Sequence, residues 1–303
     1  MSCKQRTLCS PIVFCGKGLH TGLNVNMVIR PAGACEGIVF KRIDLKGAPS
    51  VPALSDYVTD TKRGTTIQRG AAKVSTIEHI MSALWNMGVD NAVIEIDAAE
   101  VPIMDGSALA YSKAIAETGL RELDAERNIF KVTERSVFSV PQRGIEIAVE
   151  PAQDFSVDVN VDYDSKVIGR QNAHFDSETS FQNEVAPCRT FVFLHEISLL
   201  LKLGLIKGGD IGNAIVVVEK SISESEIKRL SKTFKQDIKI ENGYLNNIPL
   251  RFPNEIARHK LLDVLGDLSL LGMRIEGHVE ALRPGHWANT ETVKGLRKLI
   301  VTQ

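Results

Sequence analysis

No Cys-x-x-Cys pair occurs in this 303-residue chain, and its five cysteines (Cys3, Cys9, Cys15, Cys35 and Cys188) are an odd number. A disulfide framework or a cysteine zinc site needs better arithmetic. The thiols are therefore expected to be free and mostly buried, as suits a reducing compartment. Basic charge is not in excess: 36 Lys+Arg face 37 Asp+Glu, for a net charge of −1. Non-specific nucleic-acid binding needs a basic face that displaces counterions, so no nucleic-acid partner is expected. Long apolar runs are also missing. The longest, residues 197–206, is broken by Lys202 and is too short to span a bilayer. Lys4 and Arg6 have no apolar segment after them, so no secretory signal is read. These absences leave a globular, cytoplasmic protein without a membrane span.

The remaining patterns are mixed. Leu23, Val25, Met27 and Ile29 alternate with polar residues up to Arg30-Pro31, as in a half-buried strand, and 37–43 is a second strand. Ile77, Ile80, Met81 and Leu84 recur at helical spacing, so a helix is predicted from Ser75 to a stop at Gly88. A turn at Asp90-Asn91 leads to a strand over 92–96, and a helix over 107–118 ends at Gly119. Residues 120–128 are charged without a strand pattern, and the domain boundary is placed there. Beyond it, strands are predicted over 130–140, 145–149 and 155–163, the last with strict alternation. Helices are predicted over 194–203 and 254–271, with a strand over 214–218 between them. Strand clusters followed by helices, twice over, predict an α+β fold of two domains, 1–126 and 127–303, each a mainly antiparallel sheet with helices on one face. No sequence repeat is visible.

Three segments could carry chemistry. Asn254 can cap a mostly apolar helix on which His259, Asp263 and Asp267 recur at i, i+4 and i+8, on one stripe. Carboxylates on a greasy helix need partners. The stripe reads as a His–Asp ion pair or exposed face, or else as two ligands of a divalent metal. In Ser75-Thr-Ile-Glu78-His79, Ser75 and Glu78 have capping-box spacing. The other reading makes His79 a ligand and Glu78 a base beside it. In Arg283-Pro-Gly-His286, the His falls on a turn, either as a surface residue or as a catalytic group partnered by Asp267. Gly16-Lys-Gly18-Leu-His20-Thr-Gly22 lacks Walker spacing and follows no βαβ unit. His174, His195 and His278 have no companion motif.

Together these segments resemble the UDP-3-O-acyl-N-acetylglucosamine deacetylases, the zinc amidases of lipid A synthesis in Gram-negative bacteria. The resemblance is carried by 5–8, 16–22, Ser75-Thr-Ile-Glu-His79, 89–91, 102–107, Arg189-Thr-Phe191, 208–209, 213–216, 258–263, 266–267 and Gly285-His286, in family order over nearly the whole chain. It implies hydrolysis of the acetamide of an acylated UDP-N-acetylglucosamine in the committed step of that pathway, by a monomer. His79, His259 and Asp263 would bind Zn²⁺, Glu78 would be the general base, and His286 a cationic partner oriented by Asp267. Thr190 would help stabilise the oxyanion, Lys260 would contact the diphosphate side, and Leu19 and Phe191 would border the substrate. The fold implied is two similar α+β domains with the site between them. Two departures stand out: Trp287 is bulkier than the small residue expected after His286, and Lys62-Arg63-Gly64 puts charge near the acyl chain. Some relatives carry a fused C-terminal dehydratase domain; this sequence stops at Gln303 before any such segment, either naturally or by truncation. Two alternatives share these residues: an amidase acting on another sugar or nucleotide conjugate, and a metal-free binding module.

Overall fold

The computed structural model describes residues 4–196, 212–234, 236–246 and 248–301. Two five-stranded sheets carry the architecture. The first contains β1 (Ile12–Lys17), β2 (Asn24–Pro31), β3 (Ile38–Arg42), β4 (Ser50–Pro52) and β5 (Ala92–Ile96), in the order β1-β2-β5-β3-β4. The second contains β6 (Ser136–Val140), β7 (Ile145–Glu150), β8 (Ser156–Asp162), β9 (Arg170–Phe175) and β10 (His278–Leu282), in the order β6-β7-β10-β8-β9. In each sheet the last strand inserts between the second and the third, antiparallel to one and parallel to the other. The two topologies are identical, although the sequence shows no repeat.

The parallel pair in each sheet requires a crossover, and both crossovers run through a helix. Five helices are used below: α1 (Glu78–Asn86), α2 (Leu109–Thr118), α3 (Glu224–Phe234), α4 (Glu255–Leu268) and α5 (His286–Val301). α1 leads into β5, and α4 leads into β10. Each is preceded by a small inserted sheet: Val58–Asp60, Thr66–Arg69 and Ala72–Val74 in the first half, and Phe191–Phe193, Ile215–Val217, Ile240–Glu241 and Tyr244–Leu245 in the second. α2 packs on β1, α4 on β8 and β9, and α5 on β6 and β7. α1 and α4 pack on each other, so the helices form the middle of the molecule and the sheets its outer layers. One continuous apolar core joins both halves, from Met27, Phe40 and Ile94 through Leu84 and Leu265 to Val157 and Val279.

The α1–α4 contact depends on a glycine. A Cβ on Gly266 would lie 2.2 Å from the backbone oxygen of Glu78. Only glycine lets α4 approach the first turn of α1 this closely.

Several expectations need correction. Residues 120–126 are a strand that pairs antiparallel with Lys4–Leu8, not an unpatterned linker. Lys4–Leu8 buries Gln5, Thr7 and Leu8, whereas 120–126 has no buried position, so the usual alternation is weak there. The predicted strand 130–140 is two strands, and Ile129–Lys131 pairs parallel with Arg274–Glu276 instead of joining β6. Among the described residues, Cys9, Cys15 and Cys35 are free but exposed, and Cys188 is buried; Cys15 falls on the outward face of β1. Cys3 and residues 197–203 of the predicted 194–203 helix lie outside the described residues; 194–196 are helical. Among the described residues, no helix is long and apolar enough to cross a membrane.

Candidate metal and catalytic site

α1 starts at Glu78, so Glu78 and His79 occupy its first turn where it meets α4. The capping box read from Ser75 and Glu78 does not form. Ser75 Oγ donates to the Ala99 carbonyl at 3.1 Å, and the Glu78 carboxylate accepts the Thr65 N–H at 2.8 Å. The left-handed Thr76 (φ 58°) turns the chain between them, which pulls Ser75 away from the helix axis. Asn254 likewise makes no side-chain cap on α4. Its amide donates to the Asn172 carbonyl and its oxygen accepts from Arg258.

The helical stripe on α4 faces inward, and all three of its polar residues are buried. Asp263 Oδ1 lies 3.5 Å from His259 Nε2 and 3.9 Å from His79 Nε2. The two imidazoles meet edge to face with centroids 5.1 Å apart. One ligand atom from each of the three residues falls within 4.8 Å of the others. His259 Nδ1 is 3.1 Å from the Cys188 carbonyl, an arrangement that keeps the proton on Nδ1 and frees Nε2. Asp263 Oδ1 is buried without a hydrogen-bond partner. An orphaned carboxylate oxygen between two imidazoles, all buried, is costly unless a cation sits among them. Two His and one carboxylate fit a divalent metal with open positions. The exposed-stripe reading is thereby excluded.

Charge is arranged around this trio. Burial pushes the Glu78 carboxyl up to about 7, with Asp263 adding to the rise and cationic His286 opposing it. Burial, reinforced by His259, lowers His79 to about 3, so its imidazole is neutral and available as a ligand. Burial also lowers His259. Burial works against the Asp263 carboxylate, but His259, Lys260, His286 and His79 outweigh it and hold the carboxyl well below its ordinary range.

His286 is the first residue of α5, not part of a free turn, because Pro284-Gly285 precede the helix directly. Its Nδ1 is 3.0 Å from Asp267 Oδ2, and its Nε2 is 3.9 Å from Asp263 Oδ2. Burial disfavours its charge, but Asp267, Asp263 and Glu78 prevail and raise it to about 9. Asp267 is fully buried and also accepts from Thr65 Oγ1 at 2.6 Å and Asn289 Nδ2 at 2.8 Å.

Leu19, Glu78, His79, Thr190, Phe191, His259, Lys260, Asp263 and His286 all line one cleft of about 500 Å³; Asp267 stands behind it. Both halves contribute. Lys260 Nζ donates to Asp263 Oδ2 at 2.8 Å and lies 5.5 Å from the Phe191 ring centroid. Trp287 and Arg63 line the cleft as well, and Trp287 is exposed, with its ring edge-on to Phe138. Thr65, Asn289 and the Cys188 carbonyl, which orient these groups, carry no motif in the sequence.

Known proteins resemble this chain over nearly its whole length. The family model described as UDP-3-O-acyl N-acetylglycosamine deacetylase matches residues 5–237 and 238–298. The chain is 42% identical over 299 residues to the "Bifunctional enzyme LpxC/FabZ" of Porphyromonas gingivalis, covering 98% of this chain and 65% of that protein. The protein of the same name from Bacteroides thetaiotaomicron is 43% identical over 300 residues, with 98% and 65% covered. The UDP-3-O-acyl-N-acetylglucosamine deacetylase of Myxococcus xanthus is 39% identical over 294 residues, with 97% and 86% covered. The chain thus spans just under two thirds of the length of the bifunctional relatives. With nearly all of its length matched, the chain belongs to the UDP-3-O-acyl N-acetylglycosamine deacetylase family.

Proposed function

We propose that this protein hydrolyses the acetamide of a UDP-3-O-(3-hydroxyacyl)-N-acetylglucosamine, releasing acetate and the free glucosamine amine, the committed step of lipid A synthesis. The observation that carries this reading is the convergence of His79 from α1 with His259 and Asp263 from α4 around an orphaned carboxylate oxygen, with Glu78 and His286 beside them. His79, His259 and Asp263 would hold Zn²⁺, which when bound supplies a Lewis acid for the carbonyl and lowers the pKa of water. Glu78, poised near neutrality, accepts the proton of the attacking water. His286, kept cationic by Asp267, faces the oxyanion of the tetrahedral intermediate, and the Thr190 hydroxyl, which lines the same cleft, supports it. The leaving amine takes its proton from His286 or from Glu78 once protonated. Phe191 borders the acyl-chain passage, Leu19 contacts the substrate, and Lys260 serves the diphosphate side.

The reading extends to two domains, 1–126 and 127–303, and to a monomeric cytoplasmic enzyme, on the strength of the family resemblance. Acetate release from acylated and unacylated UDP-N-acetylglucosamine tests it. Turnover of the acylated substrate with a large loss on removing the acyl chain is expected, because remote binding energy supports the reacting centre. Equal turnover of both would point to a different amidase, and no turnover of either to a binding module.

A further inference from the structure

The glycine-rich segment 16–22 supplies none of the metal ligands or proton-transfer groups, yet Leu19 and His20 reach the cleft. What fixes it there is Glu100, a fully buried carboxylate. Glu100 Oε2 accepts the Thr21 N–H at 2.8 Å and the Thr21 hydroxyl at 2.7 Å. Oε1 accepts the His20 N–H at 2.9 Å and the Thr76 hydroxyl at 3.1 Å. Its donors are backbone and hydroxyl groups, so the carboxylate acts as a clamp between two stretches of chain and not as half of an ion pair. One stretch is the loop carrying Leu19. The other is the left-handed Thr76, two residues before Glu78.

Gly18 belongs to the same arrangement. A Cβ there would lie 2.4 Å from both Glu100 Oε2 and Thr21 Oγ1, so a side chain at 18 would expel the carboxylate. The loop also reaches across the cleft edge, where His20 Nε2 lies 3.3 Å from the Arg63 carbonyl. Backbone bridges seat it on the strip that bears Glu100: Gly18 pairs with Pro102, and Ser75 pairs with Glu100. Hydrogen bonds to a charged acceptor are the stronger kind, and several converging on one buried group leave the loop a single position.

We propose that Glu100 is a positioning residue for the deacetylation, setting the Leu19 loop against the start of α1 so that the substrate-bordering wall and the Glu78–His79 turn keep a fixed separation. This rests on the deacetylase reading above. Glu100→Gln keeps the size but turns one acceptor into a donor facing N–H groups. It should lower kcat/KM for the acylated substrate by about tenfold to a hundredfold, the range for losing charged hydrogen bonds. In a Leu19→Ala background the same change should cost less than about threefold, because the group being positioned is already gone. Thr21→Val, which removes one hydroxyl donor and leaves Glu100 in place, should give a smaller loss in the same direction. Equal losses from Glu100→Gln in both backgrounds, or none in either, would overturn the proposal. Amide hydrogen exchange decides the clamp independently of turnover. Glu100→Gln should speed exchange at His20 and Thr21 while leaving β8 unchanged; unaltered exchange at those two amides contradicts it. A wild-type protein without acetate release would sink the deacetylase reading, while the exchange result would still stand for or against the clamp.

Discussion

His286 Nδ1 and Asp267 Oδ2 lie 3.0 Å apart across the junction of α5 and α4, and Asp267 has its other contacts filled by Thr65 and Asn289. The carboxylate cannot rotate away, so the imidazole is held both in place and in charge. Asp267→Asn keeps the shape and removes the charge. Since Asp267 raises the His286 pKa, the substitution lowers it, and the basic limb of the kcat profile moves toward lower pH. A loss of about 10-fold or more in kcat is expected where a general acid is disabled. An unchanged basic limb would contradict the pairing.

A bell-shaped profile is expected for the wild type. Glu78 must begin deprotonated, and burial raises it to about 7, so activity falls as pH drops through the acid limb. His286 must begin protonated, and its pKa of about 9 sets the loss at high pH. A bound divalent cation draws both values down, so the limbs of the loaded enzyme fall at or below these positions. Glu78→Ala or His286→Ala should cost about 10²–10⁴ in kcat, the usual range for a general acid or base. Rates within tenfold of wild type in both would remove these roles.

Gly266→Ala tests the helix contact that assembles the site. Its Cβ would meet the Glu78 carbonyl oxygen at 2.2 Å, so α1 or α4 must shift. Overpacking of this kind costs about 1–3 kcal/mol, which denaturant melts of metal-free protein would read. The shift also separates Glu78 from His286, so kcat should fall further than stability alone explains. A fully stable and active variant would show that the close approach is unimportant.

Much of the site was legible because helical spacing is strict. His259, Asp263 and Asp267 announced themselves as polar residues on an apolar helix, and that pattern required partners. The partners were not legible. Thr65 reaches Asp267 from 202 residues away through a turn with no motif, and the Cys188 carbonyl on His259 is backbone, which sequence does not distinguish. Strand Ser156–Asp162 was plain because one face is buried. The strand 120–126 was missed because it pairs only with Lys4–Leu8 and buries little. The shared topology of the two sheets leaves no trace in residue identity, since each strand needs only the alternation of polar and apolar positions.

Metal binding should also appear in stability. A cation that binds only the folded chain stabilises it by mass action, so a chelator should lower Tm of the wild type. Asp263→Asn removes the orphaned oxygen's charge and should abolish that difference. A chelator effect that persists in Asp263→Asn would place the metal elsewhere.

Elemental analysis of wild-type protein beside His79→Ala, His259→Ala and Asp263→Ala tests the central claim most directly. One zinc per chain in the wild type and a marked loss in each variant is the predicted result. Wild-type protein without a stoichiometric divalent metal after incubation with zinc, or variants that retain it fully, would contradict the account.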